Sequence, residues 1–199
     1  MRAGLDPEKV RAGFVRSDTD ASYLARFDVD LASVQPMIAT PGDPRNGQVI
    51  DSIEGPVAID IAYGGSCTGG KKADMDMYAA VLGQALAQGR GVADGVQAYI
   101  QFGSQEIRRY AEEKGYVALF ERAGVNLVNP SCGACINAGP GVSLEKAQVT
   151  VSAINRNFPG RSGPGEVYLA SPLTVAASAV AGQLVNPRSW LQPADPLEE

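Results

Sequence analysis

The sequence of 199 residues contains no histidine and only three cysteines. The lack of imidazole excludes Ser-His and Cys-His nucleophile pairs, histidine general bases and every zinc site that needs a histidine ligand. An odd number of cysteines fits a secreted disulfide framework poorly. It favours reduced thiols that bind a metal or lie buried as small apolar groups.

Positive charge and long apolar runs are also scarce. Seventeen Lys and Arg residues against 22 Asp and Glu residues give a net charge of -5, which argues against non-specific attraction to nucleic acid or to an anionic membrane. The sequence has no run of about 18 apolar residues, and its charged start lacks the apolar core of a signal peptide. We therefore expect a cytoplasmic protein with neither a nucleic acid nor a membrane as partner.

Glycine and proline, in contrast, are abundant, with 23 and 13 residues, so loops should carry much of the function. A hydrophobic content of 45% and a charged content of 20% are ordinary for a globular protein. Residues 1–50 are charged and rich in turns, which predicts a lead-in segment that packs on a neighbour. Residues 51–186 are predicted to form the main α/β/α domain, and residues 187–199 are predicted to form a loose C-terminal tail.

From Val57 onward, short apolar runs alternate with helical patterns. Such alternation predicts an α/β fold, a three-layer α/β/α sandwich with a mostly parallel sheet. The predicted strands are 57–62, 96–102, 125–128, 149–154 and 167–170. The predicted helices are 74–87, one capped by Ser104 and ending at Gly115, one from Tyr116 to Gly124, and 173–180.

Residues able to bind a ligand follow three of these strands. Cys67 follows the first strand, the Cys132/Cys135 pair the third, and Asn155 with Arg156 the fourth. Because ligands of parallel sheets bind outside the carboxyl ends of the strands, one site could receive all of these residues.

The spacing Cys132-x-x-Cys135 in a glycine-containing loop is typical of metal ligands. The same spacing also fits two buried apolar cysteines, whereas a disulfide redox pair would leave Cys67 unexplained. Three thiolates without histidine suit iron–sulfur chemistry better than structural zinc, which usually has a fourth protein ligand. A cubane cluster held by three cysteines leaves one iron open, and this iron can act as a Lewis acid toward a substrate hydroxyl or carboxylate.

Two further loops have competing interpretations. Residues 65–71 satisfy the phosphate-loop spacing G-x-x-x-x-G-K, but Lys72 stands where a Ser or Thr hydroxyl should bind magnesium. A P-loop-like nucleotide-binding protein is therefore an alternative that Lys72 disfavours. Arg156 and Arg161 could hold a di- or tricarboxylic acid through their guanidinium groups, or they could lie in surface salt bridges.

Four motifs occur here in the order seen in the aconitase and isopropylmalate dehydratase superfamily. The chain resembles the third α/β/α domain of that family's large subunit, from about Asp18 to Gly182. The motifs are Gly65-Ser66-Cys67-Thr68, Cys132-Gly133-Ala134-Cys135-Ile136, Asn155-Arg156-Asn157-Phe158-Pro159-Gly160-Arg161 and Tyr168-Leu169-Ala170-Ser171-Pro172.

The resemblance implies a [4Fe-4S] cluster bound by Cys67, Cys132 and Cys135. It places Asn155 beside the cluster and assigns Arg156 and Arg161 to the substrate carboxylates. The implied reaction is isomerisation of a hydroxy di- or tricarboxylic acid by dehydration and rehydration.

The resemblance also implies that this chain is catalytically incomplete alone. The family's acidic and histidine residues lie on its first two domains, and its serine base lies on a mobile fourth domain. Expected partners are therefore the hydroxy acid and the remaining aconitase-type domains or a small swivelling subunit. A non-catalytic iron–sulfur sensor of iron or oxygen is the alternative from a different functional class.

Overall fold

The computed structural model describes residues 6–191. The chain divides into two units, Met1–Val34 and Gln35–Glu199. The helices are α1 (Pro7–Ala12), α2 (Ser66–Gly69), α3 (Lys72–Ala87), α4 (Gln105–Glu113), α5 (Tyr116–Arg122) and α6 (Pro172–Ala181). The strands are β1 (Met37–Ala39), β2 (Gly47–Val49), β3 (Ile61–Gly65), β4 (Gln97–Gln101), β5 (Asn126–Val128), β6 (Val149–Ser152) and β7 (Glu166–Ala170). Short 3-10 helices span Leu31–Ser33, Ile50–Ser52, Ala134–Ile136 and Pro187–Trp190.

The described part of the first unit contains α1 and the 3-10 helix Leu31–Ser33, and neither buries a residue. Several of its large apolar side chains are exposed: Phe14, Val15, Tyr23, Leu24, Phe27, Val29 and Leu31. That this segment packs on a neighbour stays a prediction.

The second unit contains one seven-stranded sheet, with its strands in the order β2-β1-β7-β6-β3-β4-β5. The five strands from β3 to β7 are parallel to their neighbours, while β1 is antiparallel to both β2 and β7. The predicted α/β class and mostly parallel sheet are confirmed. Sequence patterning did not predict β1 and β2, because three-residue strands are too short to show alternation. Part of the predicted lead-in segment therefore belongs to the sheet.

Helices cover one face of the sheet. Strand residues Ala62, Ala98, Ile100 and Val151 share one buried core with apolar residues of α3 to α6. On the opposite face, Tyr63 packs with Ala134 and Ile154. The third layer is thus built there by loop segments and the 3-10 helix Ala134–Ile136, where the sequence predicted helices.

Helix ends follow the predicted signals. The Ser104 hydroxyl accepts a hydrogen bond from Ile107 N over 3.3 Å and caps α4. Gly115 adopts a φ of 72° between α4 and α5, and Gly124 a φ of 89° after α5. Glycine takes this left-handed conformation at no steric cost, so both helices end where expected.

Strand β3 lies further along the chain than the predicted strand 57–62. Gly64 and Gly65, expected in a loop, pair with Ile100 and Gln101 of β4. A Cβ atom at Gly65 would overlap the backbone of Gln101, so glycine here permits a close approach of two strands.

The predicted loose tail begins with ordered structure, which corrects the sequence interpretation. Pro187–Trp190 forms a 3-10 helix, and Trp190 packs against the helical core. The guanidinium of Arg90 lies 4.3 Å from the centroid of the Trp190 ring, a cation–π contact that helps to hold this segment. Residues 192–199 of the predicted tail lie outside the described residues.

Within residues 6–191, none of the helices combines the length and apolar character that crossing a membrane requires.

Candidate functional site

Cys67 lies on a tight turn between the sheet and the helical layer. Strand β3 ends at Gly65, α2 begins at Ser66, and the Cys67 side chain is exposed. Ser66 is buried and has a φ of 72°, a conformation that costs energy in any residue except glycine. A strained residue directly before Cys67 shows that the surrounding structure fixes the turn tightly.

Close packing of glycines fixes the turn from two sides. A Cβ atom at Gly69 would lie 2.8 Å from the carbonyl oxygen of Ala153, which follows β6. A Cβ atom at Gly70 would overlap Ser66 O and lie 2.8 Å from Gln101 O, at the end of β4. The turn that carries Cys67 is therefore wedged between the carboxyl ends of β4 and β6.

Tyr78 of α3 contacts the same turn from the helical layer. Its hydroxyl accepts a hydrogen bond from Gly65 N and donates one to Gly69 O, each over 2.9 Å. Burial raises the pKa of the Tyr78 phenol above its usual range. The hydroxyl therefore stays protonated and keeps its donor at neutral pH.

Lys71 bears on the phosphate-loop alternative. Its Nζ donates to the carbonyl oxygens of Cys67 and Thr68, each over 3.3 Å. Lys72 lies 3.1 Å from Glu106 in an ion pair. The first ammonium is directed at the loop's own carbonyl oxygens, and no hydroxyl follows it for magnesium, so the geometry argues against a nucleotide-binding loop.

The loop that carries Cys132 and Cys135 is held by Gln101, the last residue of β4. This side chain is fully buried, and its Nε2 donates to Ser131 O over 2.8 Å and to Asn129 O over 3.3 Å. Cys132 is exposed and Cys135 is half-buried. Gln101 therefore holds the backbone of this loop in place just before Cys132.

Tyr63 of β3 fixes the same loop between its two thiols. The Tyr63 hydroxyl donates to Gln101 Oε1 over 2.8 Å and accepts a hydrogen bond from the Ala134 amide. Burial raises the pKa of Tyr63 to about 12, and the hydrogen bond from the Ala134 amide opposes this rise. Cys135 packs with Tyr63 and Ile154, so this thiol lies against the ends of β3 and β6.

The three thiols have the chemistry that a cluster requires. Within the described residues, no three Cys, Asp or Glu side chains are grouped closely enough to hold one metal ion. Each thiolate of a cubane cluster binds a different iron, so its ligands lie farther apart than ligands of one ion. Two exposed thiols and one half-buried thiol on fixed turns at one sheet edge fit such a cluster.

The arginine loop follows β6 at the same edge. Asn155 and Arg156 are exposed directly after buried Ile154, and Arg161 is half-buried. The Arg161 Nε is buried and has no hydrogen-bond partner among the described residues. Arg161 therefore retains an unused donor of the kind that a carboxylate accepts from.

Asn157 anchors this loop, a role that the sequence analysis did not assign. The side chain is buried, and its Nδ2 donates to Thr40 O over 2.7 Å and to Val167 O over 3.0 Å. Gly42 N donates in turn to Asn157 O over 3.2 Å. Asn157 thus ties the loop to β7 and to the turn between β1 and β2.

The sequence analysis also did not indicate that Tyr63, Tyr78 and Gln101 hold the cysteine-bearing turns in place. Tyr78 lies in the predicted helix 74–87 and Gln101 in the predicted strand 96–102, whereas Tyr63 directly follows the predicted strand 57–62. A glutamine in an apolar strand is the one signal that could have indicated a buried polar network. Their contacts join distant segments, which sequence spacing does not reveal.

Comparison with known proteins decides the family. The family model described as "Aconitase family (aconitate hydratase)" matches residues 4–182. The chain belongs to the aconitase family. The match extends beyond the region, Asp18 to Gly182, over which the sequence motifs predicted the resemblance.

Curated aconitase-family relatives include large subunits of two dehydratases. The chain is 38% identical over 173 residues to the 3-isopropylmalate dehydratase large subunit of Clostridioides difficile, covering 86% of this chain and 39% of that protein. It is 40% identical over 183 residues to the protein of the same name from Mycolicibacterium smegmatis, covering 88% and 42%. It is 39% identical over 173 residues to the 2,3-dimethylmalate dehydratase large subunit of Eubacterium barkeri, covering 86% and 40%.

The chain therefore spans about two fifths of the length of these relatives. Dehydratases of the aconitase family generally carry an iron–sulfur cluster. The three cysteines of this chain lie in the matched region.

Proposed function

We propose that this chain is the cluster-bearing part of an iron–sulfur hydro-lyase. The reaction is isomerisation of a hydroxy di- or tricarboxylic acid by dehydration and rehydration, as in the aconitase and isopropylmalate dehydratase type. The observation that supports the proposal is that the turns bearing Cys67 and the Cys132/Cys135 pair both lie against Gln101, at the carboxyl end of β4 in an aconitase-family domain.

In this proposal, Cys67, Cys132 and Cys135 bind a [4Fe-4S] cluster. When bound, the cluster supplies an open iron that acts as a Lewis acid toward the substrate hydroxyl. The guanidinium groups of Arg156 and Arg161 bind substrate carboxylates and neutralise their charge. Asn155 lies beside the cluster and donates from its amide. Support comes from the exposure of Asn155 and Arg156 and from the unpartnered Arg161 Nε.

The proposal also assigns partners to the chain. Because the chain spans about two fifths of its relatives, the proton acceptor and the remaining walls of the site come from other aconitase-type domains or a small swivelling subunit. The name "large subunit" of these relatives supports a second subunit. Exposed apolar side chains such as Phe27 and Leu31, 86% and 81% exposed, support a covering partner for the first unit.

The reaction is tested by assembling the chain with the missing parts of an aconitase-family dehydratase and supplying hydroxy acids. Isopropylmalate and dimethylmalate are the first candidates, and the unsaturated acid is followed by its ultraviolet absorbance. We expect dehydration of one acid, with loss of activity in Arg156→Ala and retention in Arg45→Ala. Arg45 is a suitable control because it is exposed and pairs with Asp43 over 2.7 Å.

A non-catalytic sensor of iron or oxygen is the alternative, and the exposure of Cys67 and Cys132 favours it, since oxidants can reach exposed thiols. The same assembly distinguishes the two functions. A cluster that forms but dehydrates none of the acids, and whose loss follows oxidant or iron supply, would contradict the hydro-lyase and favour the sensor.

A further inference from the structure

We propose that Tyr78 is a positioning residue for Cys67, with its buried hydroxyl bridging the two ends of the turn that carries this thiol. The inference rests on the proposed function in one respect, namely that Cys67 is a cluster ligand. It concerns a residue outside the four motifs, on helix α3.

Tyr78 forms one hydrogen bond on each side of Cys67 in the sequence. Gly65 lies two residues before Cys67 and donates from its amide, and Gly69 lies two residues after and accepts at its carbonyl, each over 2.9 Å. A phenol has one donor, and Tyr78 commits it to this turn. Tyr78 itself is only 1% exposed, so water does not compete for either bond.

The shape of the turn matches the tyrosine ring. A Cβ atom at Gly64 would lie 2.8 Å from Tyr78 Cζ, and one at Gly69 would lie 3.4 Å from the hydroxyl oxygen. The ring therefore occupies the space that a side chain at position 64 would need. Glycine at 64 and tyrosine at 78 form one complementary set.

The fit of Tyr78 against this turn constrains Cys67, the proposed cluster ligand. Ser66 keeps a φ of 72° only while its surroundings hold it there. The backbone on both sides of Ser66 and Cys67 is bonded to a helix of the main core through Tyr78. This link fixes the backbone from which the Cys67 thiol projects.

The test compares the full chain with Tyr78→Phe, which keeps the ring and removes both hydrogen bonds. Tyr116→Phe is the matched control, because the Tyr116 hydroxyl donates to Asp76 on the same helix over 2.9 Å. Amide hydrogen exchange is measured on the chain without iron. After anaerobic reconstitution, we measure the rate at which iron is released to a chelator and record the electron paramagnetic resonance spectrum.

Tyr78→Phe should accelerate amide exchange in the 65–70 segment about tenfold or more, since the loss of each buried hydrogen bond has about this magnitude. It should also speed iron release and alter the resonance spectrum, while Tyr116→Phe changes none of the three. Unchanged exchange in 65–70 would overturn the bridge itself. Faster exchange with unchanged iron release and spectrum would overturn the positioning role.

The same measurements distinguish failure of the proposed function from failure of the inference about Tyr78. If the wild-type chain binds no cluster although Tyr78→Phe accelerates exchange in 65–70, the bridge stands, whereas the cluster and its positioning are contradicted. If the wild-type cluster forms and Tyr78→Phe matches it in every measurement, the proposed function stands and the inference about Tyr78 fails.

Discussion

The hydroxyl of Tyr63 donates a hydrogen bond to Oε1 of Gln101 over 2.8 Å, joining two adjacent parallel strands at the edge where the thiols lie. The Gln101 amide continues the link to the backbone of Asn129 and Ser131. One buried glutamine thus connects strand β3 to the loop that carries Cys132 and Cys135.

Replacing Gln101 by Leu should destabilise the chain by about 1–3 kcal/mol, because the Tyr63 hydroxyl and two loop carbonyl oxygens lose their buried partner. Urea denaturation measures the change. The matched control is Gln97→Leu, since exposed Gln97 also accepts from a tyrosine, Tyr99, over 2.9 Å. The control should change stability by no more than about 0.5 kcal/mol. Equal effects of the two variants would contradict the special role of Gln101.

Asn157→Ala should cost about 1–3 kcal/mol of stability, because it removes the buried donor to Thr40 O and Val167 O. Exposed Asn155 lies two residues earlier, and Asn155→Ala should leave the urea midpoint unchanged while weakening hydroxy-acid binding. The two variants separate anchoring of the loop from contact with the ligand. A destabilised Asn155→Ala variant would argue that both residues are structural.

Replacing either Arg156 or Arg161 by alanine should weaken binding of the hydroxy acid to the assembled enzyme. Loss of one charge-assisted pair costs roughly 1.5–3 kcal/mol, so Arg156→Ala and Arg161→Ala should each raise the dissociation constant about tenfold or more. Calorimetric titration measures this constant, with Arg45→Ala as the exposed control. Unchanged affinity in both Arg156→Ala and Arg161→Ala would refute their role in binding the substrate carboxylates.

The stability of the chain should fall at alkaline pH in part through Tyr116. Burial and the hydrogen bond to Asp76 raise its pKa from 10.0 to about 12. A raised tyrosine pKa stabilises the folded state below pH 10. That contribution is lost as pH rises through about 12.

Unfolding free energies of wild type and Tyr116→Phe should therefore differ most below pH 10 and converge as the pH approaches about 12. Urea denaturation across this range measures both. A constant difference across the range would mean that the Tyr116 phenol does not contribute through its protonation.

The sequence predicted those parts of the fold that local patterns determine. Helix ends at Ser104, Gly115 and Gly124 were predictable because capping and left-handed glycines act within one turn. Parallel topology puts the turns that carry Cys67 and Cys135 at the same end of the sheet, and the single site that they would form stays a prediction. Roles of the individual site residues stay predictions.

What the sequence did not predict depends on contacts between distant segments. Gly64 and Gly65 look like a loop, yet they extend β3 because Gln101 and Tyr78 fit against a backbone without side chains. Trp190 lies in a segment without periodicity and is held by Arg90, a hundred positions earlier. Asn157 looks like a loop asparagine until Thr40 and Val167 are seen beside it.

The central claim is that Cys67, Cys132 and Cys135 hold a [4Fe-4S] cluster with an iron open to a hydroxy acid. The most direct measurement is anaerobic reconstitution with iron and sulfide, followed by iron and sulfide quantification and electron paramagnetic resonance with and without candidate acids. The account predicts about four irons per chain, the content of the cubane cluster, in wild type. It also predicts a spectrum shifted by one acid and loss of the cluster in Cys67→Ser. A full iron complement in Cys67→Ser, or a wild-type cluster indifferent to every acid, would contradict it.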